Sequence, residues 1–144
     1  MTSFLLLLTL AADWPAKVEL RHDEDVDRQQ QASPGDGEIP AGFGIHPYFP
    51  RSPADPSDDP VITLRAAGVY PSLVPDRPAG AIPPELDLAG GRAISGLDLD
   101  HCFAGWSGGA VIDWPASRLR LEIDADSIFS HAVVYVPPGQ PFFA

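Results

Sequence analysis

Two short stretches of this 144-residue chain concentrate the side chains that could do chemistry. The first is Pro40-Ala-Gly-Phe-Gly-Ile-His-Pro-Tyr-Phe-Pro-Arg51. Here His46 stands between Pro47 and the Gly42-Phe-Gly44 turn, next to the rings of Tyr48 and Phe49. Histidine is the side chain that exchanges a proton most readily near neutrality, and one stiffened by prolines beside aromatic rings suits proton transfer to a bound sugar. Taken by residue type alone, a hydrogen-bonded core histidine is the more frequent outcome. The second stretch is Gly96-Leu-Asp-Leu-Asp-His-Cys-Phe-Ala-Gly-Trp106, which sets two carboxylates and an imidazole within four residues. A carboxylate beside an aromatic ring can hold a sugar: the acid accepts hydroxyl protons and the ring packs on the apolar face. If the segment is extended, Asp98 and Asp100 share one face, with Leu99 and His101 opposite. The competing description is a polar turn capped by aspartate.

Other chemistries find less footing. His22, His46, His101 and His131 are dispersed, with no i, i+4 pair, and Cys102 is the single cysteine. That pattern predicts no metal site and no disulfide. A net charge of −11, from 20 acidic and 9 basic residues, opposes binding to nucleic acid or to anionic membrane surfaces. The apolar start, Met1–Ala12, has no basic residue ahead of it and is short for a membrane span. It is read as a buried strand ending at Asp13-Trp-Pro15 in preference to a signal peptide, and the default location is cytoplasmic.

Together and in this order, the two stretches resemble the aldose 1-epimerase (galactose mutarotase) family. The matching segments are Gly42-Phe-Gly-Ile-His-Pro-Tyr-Phe49, Leu99-Asp-His-Cys-Phe-Ala-Gly-Trp106 and Val134-Tyr-Val-Pro-Pro-Gly-Gln-Pro-Phe-Phe143, with Leu8-Thr-Leu-Ala-Ala-Asp-Trp-Pro15 similar to a further family strand. The resemblance implies an antiparallel β-sandwich, the galactose mutarotase-like supersandwich, present here in part. It implies interconversion of the α and β anomers of a hexose without metal or cofactor. His46 would protonate the ring oxygen and Asp100 would bind sugar hydroxyls. Tyr48, Arg51 and Trp106, from the same blocks, complete the expected sugar contacts, and His46 and Asp100 are expected to line one groove. The resemblance further implies that the chain corresponds to the C-terminal half of the family domain, and it puts the family's general-base glutamate past Ala144. Two rivals follow from that: a noncatalytic carbohydrate-binding β-sandwich, and a hexose-6-phosphate 1-epimerase, which would need a basic cluster for which Arg51 is the one candidate. A structural fragment without a sugar site is the third.

The elements that must position these residues are strands. Seventeen prolines and 13 glycines disfavour helices. Ala16–Arg21 alternates apolar and polar residues; His22–Glu38 is a polar loop; Val61–Ala66 is a strand; Gly68–Gly91, with five prolines, is an irregular excursion. Ala110–Trp114, Leu119–Ile123 and Ala132–Val136 are strands, and Phe142-Phe143 opens another. Leu119, Leu121 and Ile123 alternate with Arg120 and Glu122, so that strand should have one wet face. The fold class is all-β, in a single partial domain over residues 1–144.

Overall fold

A computed structural model describes residues 16–20, 44–71 and 77–144. The expected opening strand, the polar 22–38 stretch and part of the proline-rich excursion lie outside the described residues. The rest is built from short strands, with one 3₁₀ turn at Ile94–Gly96.

The alternating segments form the larger sheet. Strands β3 (Val61–Leu64), β7 (Gly109–Trp114) and β8 (Leu119–Ala125) lie at its centre, flanked by β1 (Ala16–Leu20) and β5 (Arg92–Ala93) in the order β1-β8-β7-β3-β5. All its pairings are antiparallel except β1 with β8. Cross-strand partners share a face, so the register Ile62↔Ile112↔Leu121 builds one apolar row and Leu64↔Ala110↔Ile123 the next. The other face is polar along β8, as its alternation requires, and mixed along β3 and β7, which add Val61 and Val111. Across it Arg120 faces Asp113 in register and forms ion pairs with Asp113 and Glu122.

The second layer starts from β4 (Gly68–Val69), β6 (Leu99–Ala104) and β9 (His131–Val136), in the order β4-β6-β9. The aspartate-rich motif is therefore a strand and not a capped turn. Leu99 and Phe103 are buried and Asp100 is exposed. A further pair, β2 (Phe49–Pro50) and β10 (Phe142–Phe143), is joined to β9 by reciprocal backbone bonds between Tyr135 and Ala144, at 2.7 and 2.8 Å. A residue pair that exchanges both bonds is directly opposed in an antiparallel ladder. The smaller sheet thus continues from β4 through β6, β9 and β10 to β2.

One core takes side chains from both sheets, including Ile62, Ile112, Leu121, Phe103, Val136 and Phe143. Phe143 bridges the layers, with Phe49 at 5.7 Å and Trp114 at 6.2 Å between ring centroids. Trp114 Nε1 also donates to the Pro50 carbonyl at 2.9 Å, which pins β2 to the larger sheet. The described part of the excursion after β4 is largely irregular, as expected, but it is not detached. Val69 and Gly80 exchange backbone bonds, and Leu88 is buried in the core.

Asp58 holds the turn between β7 and β8 by accepting from the Ala116 and Ser117 amides and the Ser117 hydroxyl. Asp55 accepts from the Ser57 hydroxyl and amide, and those bonds hold its carboxyl below the usual aspartate range.

Candidate functional site

The side-chain parity of the smaller sheet decides which candidates meet. Its buried face carries Leu99, Phe103, Val134, Val136 and Phe143. Its outward face carries the alternate residues. The register Asp100↔Tyr135, extended by the Tyr135–Ala144 bonds, is one outward row across β6, β9 and β10. Phe142 is two residues from Ala144 and so points the same way. The Tyr48 ring meets Phe142 edge-on at 5.3 Å, and His46 lies 4.9 Å from Tyr48 with the ring planes 33° apart. His46, Tyr48 and Asp100 are all exposed. With adjacent strands about 4.8 Å apart, the three steps from β6 to β2 separate Asp100 from Tyr48 by about 14 Å along this face.

A cleft of about 420 Å³ opens between the two sheets beside β9. Its walls include His46 and Trp106, together with Ile62, Ile112, Val134 and Phe143, but not Asp100, Tyr48 or Arg51. The expected single groove containing both His46 and Asp100 is therefore not this cleft. His46 sits where the cleft meets the outward face, and Asp100 belongs to the outward face alone.

Two of the expected sugar contacts have other partners. Arg51 sends one guanidinium nitrogen to the Pro137 carbonyl at 2.8 Å, and its amide donates to Pro141 at 2.9 Å. Its Nε is buried without a partner. These contacts fasten the loop between β9 and β10. Trp106 is half-buried against the core, and its Nε1 donates to the Gly109 carbonyl at 2.9 Å. Its indole nitrogen is thereby occupied, though its ring still lines the cleft.

The outward face also gathers residues that the motif reading passed over. Tyr135 stands across from Asp100, and Phe142 touches Tyr48. Tyr70 and His131 stack at the other end of β9, with centroids 5.9 Å apart. A signal was present: in His131-Ala-Val-Val-Tyr135 the period of two puts His131, Val133 and Tyr135 on one side. Cys102 lies on this face too, half-buried, and burial pushes its thiol pKa up.

Among the described residues no group of three His, Cys, Asp or Glu side chains could hold a metal ion, and no helix is long and apolar enough to cross a membrane. No protein-family model, curated protein or solved structure matches the chain.

Proposed function

We propose that the outward face of the smaller sheet is a hexose site of the aldose 1-epimerase kind, on a partial galactose mutarotase-like β-sandwich. The observation that carries this reading is the shared outward face itself. An exposed carboxylate (Asp100), two tyrosines (Tyr135 and Tyr48), a phenylalanine (Phe142) and an imidazole (His46) all open to the same side. Carboxylate oxygens accept from vicinal hydroxyls and aromatic rings cover the C–H face, which are the two demands of a pyranose.

In the proposed reaction His46 donates a proton to the ring oxygen while the C1 hydroxyl proton leaves to a base. The C1–O5 bond breaks to give the open aldehyde. Rotation about C1–C2 and reclosure with the proton transfers reversed give the other anomer. Asp100 holds hydroxyls in this scheme, so the base is a separate group, which the resemblance makes a glutamate. Loss of a positioned general base typically lowers a rate by about 100-fold to 10,000-fold. Hexose binding with no measurable anomer interconversion would favour the carbohydrate-binding reading over the epimerase one.

A phosphorylated hexose fits less well, because Arg51 gives its guanidinium to Pro137 and not to the outward face. Calorimetric titration with hexoses, alongside polarimetry of anomer interconversion, tests the reading. Millimolar or tighter binding that Asp100→Ala weakens is expected, with a residual rate that falls in His46→Ala. Absence of hexose binding in the folded chain would refute it.

A further inference from the structure

We infer that Tyr70 and His131 form a second sugar subsite on the same outward face, so that the site takes an oligosaccharide in preference to a lone hexose. The inference rests on the sugar-binding reading of that face. Tyr70 follows β4, and its amide donates to the Cys102 carbonyl at 2.9 Å, which sets it beside β6. His131 opens β9, across from Ala104. Their rings stack with planes 23° apart.

Both nitrogens of the His131 ring are engaged. Nδ1 lies 2.9 Å from the Ser130 hydroxyl and Nε2 lies 3.4 Å from the Tyr70 hydroxyl. An imidazole held at both ends and stacked on a phenol presents a fixed aromatic surface. Fixing it in advance removes the ordering cost that a free side chain would incur on binding. The pair, His131 exposed and Tyr70 half-buried, is suited to packing against the C–H face of a pyranose, with the Tyr70 hydroxyl and Ser130 at its border for polar contacts.

The spacing points to a chain of sugars. From the Asp100–Tyr135 row to the Ala104–His131 row is four residues along the strands, or about 14 Å at about 3.4 Å per residue. A pyranose lying across the strands from Asp100 towards Tyr48 does not also reach the Ala104–His131 row, which lies along them. The row between them holds Cys102 and Val133, with Tyr70 beside Cys102 on the β4 side, and all three are neutral. No charged side chain of β6 or β9 projects outward between the rows, so a neutral glycan meets nothing that requires a counter-charge.

The test is calorimetric titration of the 144-residue chain with a hexose and with its reducing di-, tri- and tetrasaccharides. Affinity should rise about tenfold once the ligand reaches the second subsite, the scale of one well-packed aromatic contact. Tyr70→Ala and His131→Ala should each return the longer ligands to the hexose value while leaving hexose affinity within about twofold. Tyr70→Phe, which keeps the ring and frees Nε2, should lose part of the gain; this conservative change guards against misfolding, checked by near-ultraviolet circular dichroism. Hexose binding with no gain from length overturns the subsite and leaves the hexose reading standing. Length-dependent binding that survives Asp100→Ala but not Tyr70→Ala supports the subsite and removes the hexose reading. No binding of any length overturns both.

Discussion

Phe142 and Phe143 are chemically identical neighbours on one short strand, and truncating each to alanine should give very different results. Phe143 is 1% exposed and joins the layers through Phe49 and Trp114. A buried phenylalanine withdraws about 150–250 Å² from water. At about 25 cal/mol per Å² that is an upper bound of roughly 4–6 kcal/mol, and core Phe→Ala replacements cost about 3–5 kcal/mol. Phe142 is half-buried and meets the Tyr48 ring edge-on at 5.3 Å. Losing that pair and some burial should cost about 1–2 kcal/mol. Urea unfolding followed by tryptophan fluorescence separates the two. With a slope of roughly 2 kcal/mol per molar, Phe143→Ala should lower the midpoint by about 1.5–2.5 M and Phe142→Ala by under about 1 M. Hexose affinity should respond to Phe142→Ala more than stability does, because that ring is on the outward face. Equal midpoint shifts for the two variants, or a larger shift for Phe142→Ala, would refute the assignment of faces in β10 and with it the outward row.

Three further outcomes follow from local geometry. Gly108 has φ +88°, and a Cβ there would stand 2.5 Å from the Ala125 carbonyl oxygen, whereas Gly139, at φ +69°, has open space. Gly139→Ala should therefore cost only the about 1–2 kcal/mol of a left-handed backbone, and Gly108→Ala distinctly more, as read from thermal melts of the two variants. The hydrogen bonds from Ser57 that lower the Asp55 pKa contribute stability that is fully present above the ordinary aspartate value and lost as pH falls through the lowered one. In Ser57→Ala the Asp55 titration followed by NMR should move up towards the ordinary range; an unmoved titration would show that Ser57 is not the cause. Burial raises the Cys102 pKa, so the folded chain holds less thiolate at neutral pH and should react with iodoacetamide more slowly than the urea-unfolded chain, measured by mass spectrometry.

Local alternation was enough to identify the three central strands of the larger sheet, though not β5 at its edge. Val61–Leu64, Gly109–Trp114 and Leu119–Ala125 repeat with a period of two, and a side chain's place in that period follows from backbone geometry alone. The same rule set Asp100 against Leu99, as β6 has them, and it could have grouped His131 with Tyr135. Parity does not say which of two faces is buried, nor which strand lies alongside. Phe142-Phe143 is symmetrical as sequence; its faces were decided by Trp114 and Phe49, which approach Phe143 from other strands. Arg51 stands beside the His46 motif and reads as a ligand contact, but Pro137, 86 positions away, takes its guanidinium. The row from Asp100 through Tyr135 to Ala144, and the stack of Tyr70 on His131, likewise depend on pairings between strands distant in the chain. Such pairings are fixed by register and by the burial that a whole sheet achieves at once. No window of neighbouring residues contains that information, so the site became visible only when the sheets were assembled.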